Sequence, residues 1–416
     1  MIRLPSSLQV LLHLRPIFSS LLRHKTAAGL IVLEVALSCA IISNAVFLIG
    51  QRLAAMQIPS GLQEAGLLVL RYSSYAKGQD LDAISTQDLA LLRALPGVQS
   101  AALVNQLPFG NHSSSGGVSV RADDASGGFN VGWYNVGEGW LQSMGVRLIE
   151  GRDFRPDEYR TIAQVRADEG QKVRVALINK ALAQQLFPGE SALGREIYPG
   201  GPEPVQVIGI VDELIRARPS DLRSQGPGSL IVPLRTDFST GLYLLRVDPA
   251  QQDTLLKAAT ARLDAEGGRR LLASARPFAE QREAYFRQDR YMAALLGLVC
   301  LLLLVVTALG IVGLASFWVR QRQRMIGTRR ALGATRRQIL HYFQLENLLL
   351  TGTGLLLGTL GAFGINLLLM LSYEVPRLPL AYLPVGAGTL LLLGQLAVLG
   401  PARRAAELPP VAALRA

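Results

Sequence analysis

Four long apolar runs constrain this chain more than any other feature of its sequence. They extend over residues 27–49, 291–319, 347–373 and 378–402, and the only charged residue within them is Glu34. An α-helix needs about 20 consecutive, predominantly apolar residues to cross the hydrocarbon core of a bilayer. Each run is long enough, so the sequence predicts an integral membrane protein with four transmembrane α-helices.

The net charge of +11 is distributed unevenly along the chain. Residues 51–290 contain 27 basic and 27 acidic residues, whereas the rest of the chain contains 15 basic and 4 acidic residues. A basic protein often binds nucleic acid, but here the whole excess flanks the apolar runs. The charge pattern therefore excludes a soluble nucleic-acid-binding protein. We expect membrane lipids, and no nucleic acid, as partners.

The loop between the second and third runs carries seven basic residues, and no acidic residue lies between them. They are Arg320, Arg322, Arg324, Arg329, Arg330, Arg336 and Arg337. Basic residues beside membrane spans mark the cytoplasmic side, so we expect this loop and both termini in the cytoplasm. The neutral segment then lies outside, after one helix and before three closely spaced helices. A cleaved signal peptide is disfavoured because the first run is too long for an h-region.

These landmarks divide the chain into nine predicted segments. They are a cytoplasmic amphipathic N-terminal segment (1–25), the first span (26–50), an external domain with stalk extensions (51–290), the second span (291–319), a cytoplasmic loop (320–341), the third span (342–373), an external loop (374–379), the fourth span (380–402) and a cytoplasmic tail (403–416). For the first segment a disordered basic tail is the alternative, because its apolar stripe is short.

The external segment alternates between strand-like and helical patterns. Residues 98–104, 129–134, 173–177, 205–211 and 242–247 predict strands, and residues 251–265 predict a helix. Ser85 and Thr86 are expected to open another helix, with Asp88 in its first turn. Asn179 is expected to cap a helix that continues through Leu186. The sequence therefore predicts a large α+β domain inserted between the first and second transmembrane helices.

The sequence contains no recognisable catalytic or metal-binding arrangement. No P-loop motif, G-x-x-x-x-G-K-[ST], occurs in the 416 residues, and the four histidines form no pair or cluster with metal-ligand spacing. The segment around His112 is rich in Ser and Gly and is interpreted as a flexible loop. Cys39 and Cys300 are interpreted as small buried hydrophobic residues. We therefore expect neither an enzyme nor a bound cofactor.

Two acidic residues and two glycines lie within or beside the predicted spans. Glu34 and Glu346 each follow a basic residue by nine positions, so we expect them near the cytoplasmic interface, in reach of water or an arginine. This interpretation is favoured over a role in proton coupling. Gly354 and Gly358 form a G-x-x-x-G face for close helix packing. Such a face can pack within one chain or between chains, and the sequence leaves this open.

Four motifs, in order along the chain, resemble one known family. They are GVRLIEGRDF at 145–154, VALINKALAQQLFPG at 175–189 followed by LGR at 193–195, MIGTRRALGATRRQIL at 325–340, and PARRAAELPPVAALR at 401–415. The first two resemble the MacB-type periplasmic core domain, and the last two resemble FtsX-type ABC permeases. The resemblance covers nearly the whole chain.

This resemblance implies a permease of a type VII ABC transporter in the bacterial inner membrane, without a fused ATPase. Such a subunit works by mechanotransmission: a separate cytoplasmic ATPase dimer binds ATP, and its closure moves the stalks and the periplasmic domain. The implied activity is export or extraction of an amphipathic compound or peptide, with a periplasmic adaptor protein. The alternatives are an FtsX-like signalling scaffold that controls a periplasmic enzyme or sensor, and a lipoprotein-release permease.

The resemblance also implies that the cytoplasmic loop docks on the ATPase as a coupling helix. The implied coupling residues are Ile326, Gly327, Arg329, Arg330, Ala331, Leu332, Gly333 and Ala334. A basic loop that only sets the topology is the alternative. Relatives commonly have an acidic residue where this chain has Met325 and an aliphatic residue where it has Thr328. A heterodimer with a second, non-identical permease is therefore favoured over a homodimer.

Overall fold

The computed structural model describes residues 25–407, except for 76–77, 111, 124–127, 169–171, 219–225, 268–269 and 374–375. The predicted amphipathic helix within residues 1–24 and the end of the predicted tail, 408–416, lie outside the described residues. The elements below are numbered in chain order.

The α-helices are α1 (Lys25–Met56), α2 (Leu81–Arg93), α3 (Trp140–Met144), α4 (Ile162–Ala167), α5 (Lys180–Leu186), α6 (Gln252–Ala265), α7 (Phe278–Tyr285), α8 (Arg287–Gln321), α9 (Gln323–Ala331), α10 (Arg336–Tyr373) and α11 (Leu383–Glu407). The strands are β1 (Leu67–Ser74), β2 (Val98–Val104), β3 (Ser115–Ser119), β4 (Phe129–Asn135), β5 (Leu148–Gly151), β6 (Arg160–Thr161), β7 (Val175–Asn179), β8 (Glu196–Pro199), β9 (Val205–Val211), β10 (Ser229–Val232), β11 (Leu234–Arg235), β12 (Leu242–Val247) and β13 (Arg270–Pro277). Short 3₁₀ turns cover Pro156–Glu158, Pro249–Gln251 and Leu380–Tyr382.

Four helices are long and apolar enough to cross a membrane, judged by length and composition. They are α1, α8, α10 and α11; the first three contain the first three apolar runs, and α11 contains most of the fourth. The predicted order of one span, a large domain and three further spans is confirmed. At about 1.5 Å per residue, the 32 residues of α1 and the 35 residues of α8 exceed a hydrocarbon core of roughly 30 Å.

The described chain divides into two compact units. The spanning unit contains the residues up to Ala54 and those from Asp289 onward, and the intervening unit contains Ala55–Gln288. In the spanning unit, small and branched side chains from all four long helices form a shared apolar core. Its buried members include Ala28, Ile31, Val35, Ile311, Ala315, Phe343, Leu350, Val398 and Ala402.

In the intervening unit, one sheet has four antiparallel strands in the order β13-β1-β12-β2. Helices α2 and α6 cover one face of it, where Leu92, Leu255 and Ala259 pack against Leu68 and Leu70 of β1. The opposite face, with Leu67 and Val69, belongs to the main core of the unit. Both faces of this sheet are therefore buried.

The second sheet is mixed and closes on itself. Its order is β5-β9-β7-β10-β4-β3-β8, and β8 pairs again with β9, so six of the seven strands form a ring. Alternate residues such as Val118, Val131, Ile178 and Leu230 point into an apolar core inside it. The predicted α+β class is confirmed, and strands β2, β9 and β12 have the predicted bounds.

Two local predictions were wrong. The helix expected to open at Ser85 and Thr86 begins at Leu81, because Asp80 accepts a hydrogen bond from the backbone N–H of Ala83 at 3.0 Å and caps it. Asp88 is consequently buried in the middle of α2 and not in its first turn. The predicted flexible loop around His112 includes the start of β3, whose residues pair with β4.

Candidate functional site

The connection between α8 and α10 contains all eight predicted coupling residues. They lie on the short helix α9 and on the turn that follows it. Residues 323–335 are referred to below as the basic turn.

The end of α9 is fixed by backbone hydrogen bonds of a Schellman motif. Gly333 adopts φ +97°, its N–H donates to the carbonyl of Arg330 at 3.1 Å, and the N–H of Ala334 donates to the carbonyl of Arg329 at 3.0 Å. Glycine adopts this left-handed conformation without a steric penalty. The sequence Leu-Gly-Ala therefore folds locally into a sharp reversal.

The start of α10 is fixed just as closely. The hydroxyl of Thr335 accepts a hydrogen bond from the N–H of Gln338 at 3.3 Å, and the side chain of Gln338 accepts one from the N–H of Thr335 at 2.8 Å. This reciprocal pair is a capping box. Since the Schellman motif ends immediately before it, the turn between α9 and α10 has few free backbone groups.

The eight predicted residues divide into buried and exposed members. Ile326 is 2% exposed and packs in the core of the spanning unit, and Gly327 is buried beside it. Leu332 at the apex is 83% exposed, and Arg329, Ala331 and Gly333 are also exposed. Ile326 and Gly327 therefore anchor the basic turn, whereas the apex is available to a partner.

Two of the three arginines of the turn contact the helices beside it. Arg330 donates from Nη1 to the carbonyl oxygen of Ala406, 3.0 Å away in the last turn of α11. A cation at a helix C-terminus is electrostatically favourable. The guanidinium carbon of Arg329 lies 4.9 Å from the ring centroid of Tyr342, within range of a cation–π interaction. Arg330 therefore has a structural contact, and Arg329 remains exposed beside the apex.

A buried ion pair joins the base of the turn to α10. Arg322, between α8 and α9, donates from Nη1 to both carboxylate oxygens of Glu346, at 2.9 and 2.8 Å. The guanidinium also lies 5.6 Å from the ring of Trp318. The expectation that Glu346 reaches an arginine is confirmed, although the sequence did not identify which one.

The other predicted features of the spanning unit lie at helix contacts. A side chain added at Gly354 would approach Val35 to 2.8 Å, and one at Gly358 would approach Cys39 to 2.6 Å. The G-x-x-x-G face therefore packs against α1 of the same chain. Glu34 is half-buried against Gly310 of α8. Of the two expected partners of Glu34, an arginine is not found within the described residues. Contact with water stays a prediction.

The described residues show no cluster of three or more side chains that could hold a metal ion. Cys39 and Cys300 are both free and buried, in one apolar cluster of the spanning unit. The basic turn is the candidate functional site. Its exposed Leu332 and Arg329 present an apolar group and a positive charge to a binding partner.

Two family comparisons cover most of the chain. Residues 31–265 match the family described as MacB-like periplasmic core domain, which is more than half of the 416 residues. Residues 297–410, which include the basic turn, match the family described as FtsX-like permease C-terminal.

Individual relatives agree with these matches. The chain is 26% identical over 302 residues to the uncharacterized ABC transporter permease YvrN of Bacillus subtilis (strain 168), covering 68% of this chain and 69% of that one. It is 26% identical over 289 residues to the uncharacterized ABC transporter permease YknZ of the same strain, covering 67% and 68%. The macrolide export ATP-binding/permease protein MacB of Chromobacterium violaceum is 26% identical over 302 residues, covering 68% of this chain but 43% of that protein.

Proposed function

The chain belongs to the ABC transporter permeases that have a MacB-like periplasmic core domain and an FtsX-like permease region, and we propose that it works by mechanotransmission. A separate cytoplasmic ATPase dimer hydrolyses ATP and pushes on the basic turn. The long helices pass this movement to the intervening unit in the periplasm. The complex thereby exports or extracts an amphipathic compound or peptide.

The construction of the basic turn is the observation that carries this proposal. Its apex is exposed, while its base is held by the buried Ile326 and by the bond from Arg330 to α11. A surface that receives a push must present groups to its partner and deform little behind them. The Schellman motif and the capping box supply that stiffness, because they satisfy the backbone groups on both sides of the reversal.

The lengths of α1 and α8 support transmission across the membrane. Both helices are longer than a bilayer core requires, and Arg52 of α1 pairs with Asp289 of α8 beyond their apolar runs. A continuous helix resists bending because each turn is hydrogen-bonded to the next. We therefore propose that α1 and α8 form the stalk that moves the intervening unit.

The proposed cargo rests on the name of one relative, and the proposed second permease rests on two residues of α9. The printed name of the MacB relative refers to macrolide export, which supports an amphipathic compound as cargo. Met325 and Thr328 are exposed on α9, and neither can supply a negative charge to an ATPase. We propose that a non-identical permease supplies the acidic version of this contact in a heterodimer.

ATPase stimulation in nanodiscs tests the docking assignment. The double variant Arg329→Glu/Arg330→Glu should lower ATP hydrolysis by the complex to the rate of the ATPase alone, because it reverses two charges beside the apex. Because Arg330 also bonds to α11, the single variant Leu332→Ser serves as a second probe. Leu332 is almost fully exposed, so this change should reduce stimulation without affecting folding.

Arg403→Glu/Arg404→Glu is the matched control. These two arginines are also exposed and lie on α11, outside the basic turn. The control should keep most of the stimulation. Full stimulation by both Arg329→Glu/Arg330→Glu and Leu332→Ser would refute docking at the turn.

A further inference from the structure

A cavity of about 290 Å³ lies within the intervening unit. Strands β1 and β13 form one wall, and the segment after β2 together with helix α7 forms the other. The residues used in the argument are Arg71, Arg276, Ser274, Phe109, Gln281 and Tyr285. Neither the family matches nor the proposed movement assigns a role to this cavity.

Two arginines occupy the inner face of the four-stranded sheet. Side chains on a strand alternate between faces, so Arg71 follows Leu67 and Val69, which are buried in the main core. Strand pairing places Arg276 opposite Val69 and Ser274 opposite Arg71. Arg71 and Arg276 are therefore diagonal neighbours on one face, close enough for their long side chains to meet.

None of the described residues that line the cavity is acidic. Within the described residues, no ion pair is formed by Arg71 or Arg276, and the Nε of Arg276 is buried without a hydrogen-bond partner. A third arginine of the same inner face, Arg246, is fully engaged, since it donates to the carbonyls of Gln63, Ala65 and Ser143. Backbone carbonyls of the same unit thus bind the guanidinium of Arg246, whereas Arg71 and Arg276 face the cavity.

The opposite wall is rigid and carries polar groups, from Gln106, His112 and Gln281, beside its aromatic ones. Phe109 has φ +57° although it is not a glycine, a conformation that persists only where the surroundings enforce it. Its ring is enclosed by Phe278, Tyr285 and Phe286, with centroids 5.2 to 6.2 Å away. Gln281 of α7 donates to the carbonyl of Pro108 at 3.3 Å and holds the segment in place. The wall is therefore shaped before any ligand arrives.

We propose that this cavity binds a small amphipathic carboxylate. The carboxylate pairs with Arg71 and Arg276, because a planar guanidinium matches the two oxygens of a carboxylate. The apolar part of the ligand lies against Tyr285 and Ala284, which line the cavity and are partly exposed. Such a site combines apolar contacts with convergent polar groups, as small-molecule sites do. Binding here goes beyond the proposed movement and does not depend on an ATPase.

Isothermal titration calorimetry with 3-phenylpropionate tests the site, using the full chain alone in nanodiscs. The wild-type chain should bind the probe, and Arg71→Gln and Arg276→Gln should each weaken binding about tenfold or more, because each removes a charge-assisted hydrogen bond. Arg121→Gln is the matched control, since Arg121 is exposed and paired with Asp123 in the same unit. This control should bind the probe as the wild type does.

Ser274→Glu provides an independent variant. It places a carboxylate opposite Arg71, which should compete with the probe and abolish binding while thermal unfolding stays unchanged or shifts upward. The uncharged 3-phenylpropionamide should not bind, and acetate should bind more weakly than 3-phenylpropionate. The proposal is overturned if the wild-type chain does not bind 3-phenylpropionate at millimolar concentration, if both glutamine variants bind it within twofold of wild type, or if the amide binds equally well.

Discussion

Among the described residues, each unit contains one arginine–carboxylate pair buried on both sides, and the two pairs have different surroundings. In the intervening unit, Arg270 and Asp88 are each 2% exposed. In the spanning unit, Arg322 and Glu346 are 8% and 2% exposed. The chemistry is the same, so the difference lies in what each pair connects.

The Arg270–Asp88 pair is the centre of a network that links helix α2 to the four-stranded sheet. Asp88 also accepts a hydrogen bond from the hydroxyl of Tyr243 at 2.5 Å, and the guanidinium of Arg270 lies 5.3 Å from the ring of Tyr72. Burial and the nearby carboxylate raise the pKa of the Tyr243 hydroxyl. A pair with this many partners holds a folded domain together.

The Arg322–Glu346 pair connects two segments that the proposed mechanism must move together. Arg322 precedes α9, and Glu346 lies on α10, so the pair spans the base of the basic turn. We propose that the first pair stabilises its unit and that the second couples the basic turn to α10, and variants of the two pairs separate these roles.

The largest effect is expected for Asp88→Ala, which leaves Arg270 buried without its partner. Removing one member of a buried pair costs about 3–5 kcal/mol, so hydrogen exchange of β1 and β12 in the full chain should accelerate strongly. The double variant Asp88→Leu/Arg270→Met should lose less stability than Asp88→Ala, because no uncompensated charge remains. An unchanged hydrogen-exchange rate in Asp88→Ala would contradict a stabilising role for this pair.

Glu346→Ala should destabilise the spanning unit by about 2 kcal/mol, since it removes charge-assisted hydrogen bonds to Arg322. The double variant Arg322→Met/Glu346→Met should restore stability in detergent but leave ATPase stimulation low, because the link between the turn and α10 stays broken. ATPase stimulation and thermal unfolding, measured on the same samples, separate the two effects. Recovery of both in the double variant would make this pair structural, like the one in the intervening unit.

Gly354→Ala tests the close packing of α10 on α1, which lies apart from the Arg322–Glu346 pair. The added methyl group would approach Val35 to 2.8 Å, and such overpacking costs about 1–2 kcal/mol. Gly364→Ala, on the same helix, has no atom within 4 Å of the added carbon. Unfolding in SDS, followed by circular dichroism, should show destabilisation by the first change and none by the second. Equal behaviour would contradict the packing of α10 on α1.

The smallest effect is expected at a more exposed pair. Arg152 donates to both carboxylate oxygens of Glu158, at 2.8 and 2.6 Å, and lowers the pKa of Glu158. The stabilisation is therefore complete above the ordinary pKa of glutamate, about 4.3, and is lost as the pH falls through the lowered value. Because Arg152 is 38% exposed, Glu158→Gln should cost about 0.2–1 kcal/mol at pH 7. The difference from wild type should vanish in acid, and a constant difference across pH would contradict this assignment.

The sequence predicted features that depend on local composition. The apolar runs predicted four membrane helices. Apolar segments of this length favour the bilayer, and a helix satisfies every backbone hydrogen bond within the segment. Asn179 was expected to cap a helix, and it does, by accepting a hydrogen bond from the N–H of Leu182. Helix α2 was misplaced because Asp80, Ser85 and Thr86 are all acceptable caps. In the fold the hydroxyls of Ser85 and Thr86 instead donate to carbonyls one turn earlier in the helix, and Asp80 is the cap.

The sequence did not predict features made by residues far apart in the chain. Glu346 was expected to reach an arginine, but seven arginines lay nearby, and the packing of α8 on α10 selects Arg322. The cavity was missed because Arg71 and Arg276 meet through strand pairing, which no local pattern encodes. The division of the coupling residues into buried Ile326 and exposed Leu332 likewise depends on the fold of the bundle.

Site-specific photo-crosslinking tests the central claim most directly. A benzoylphenylalanine incorporated at Leu332 in native membranes should form an adduct with an ABC ATPase subunit, identified by mass spectrometry. The same probe at Leu371, which is equally exposed but near the opposite end of α10, should form none. An ATPase adduct at Leu332 alone is the predicted result, and the absence of any ATPase adduct at Leu332 would contradict the assignment of the basic turn as the docking surface.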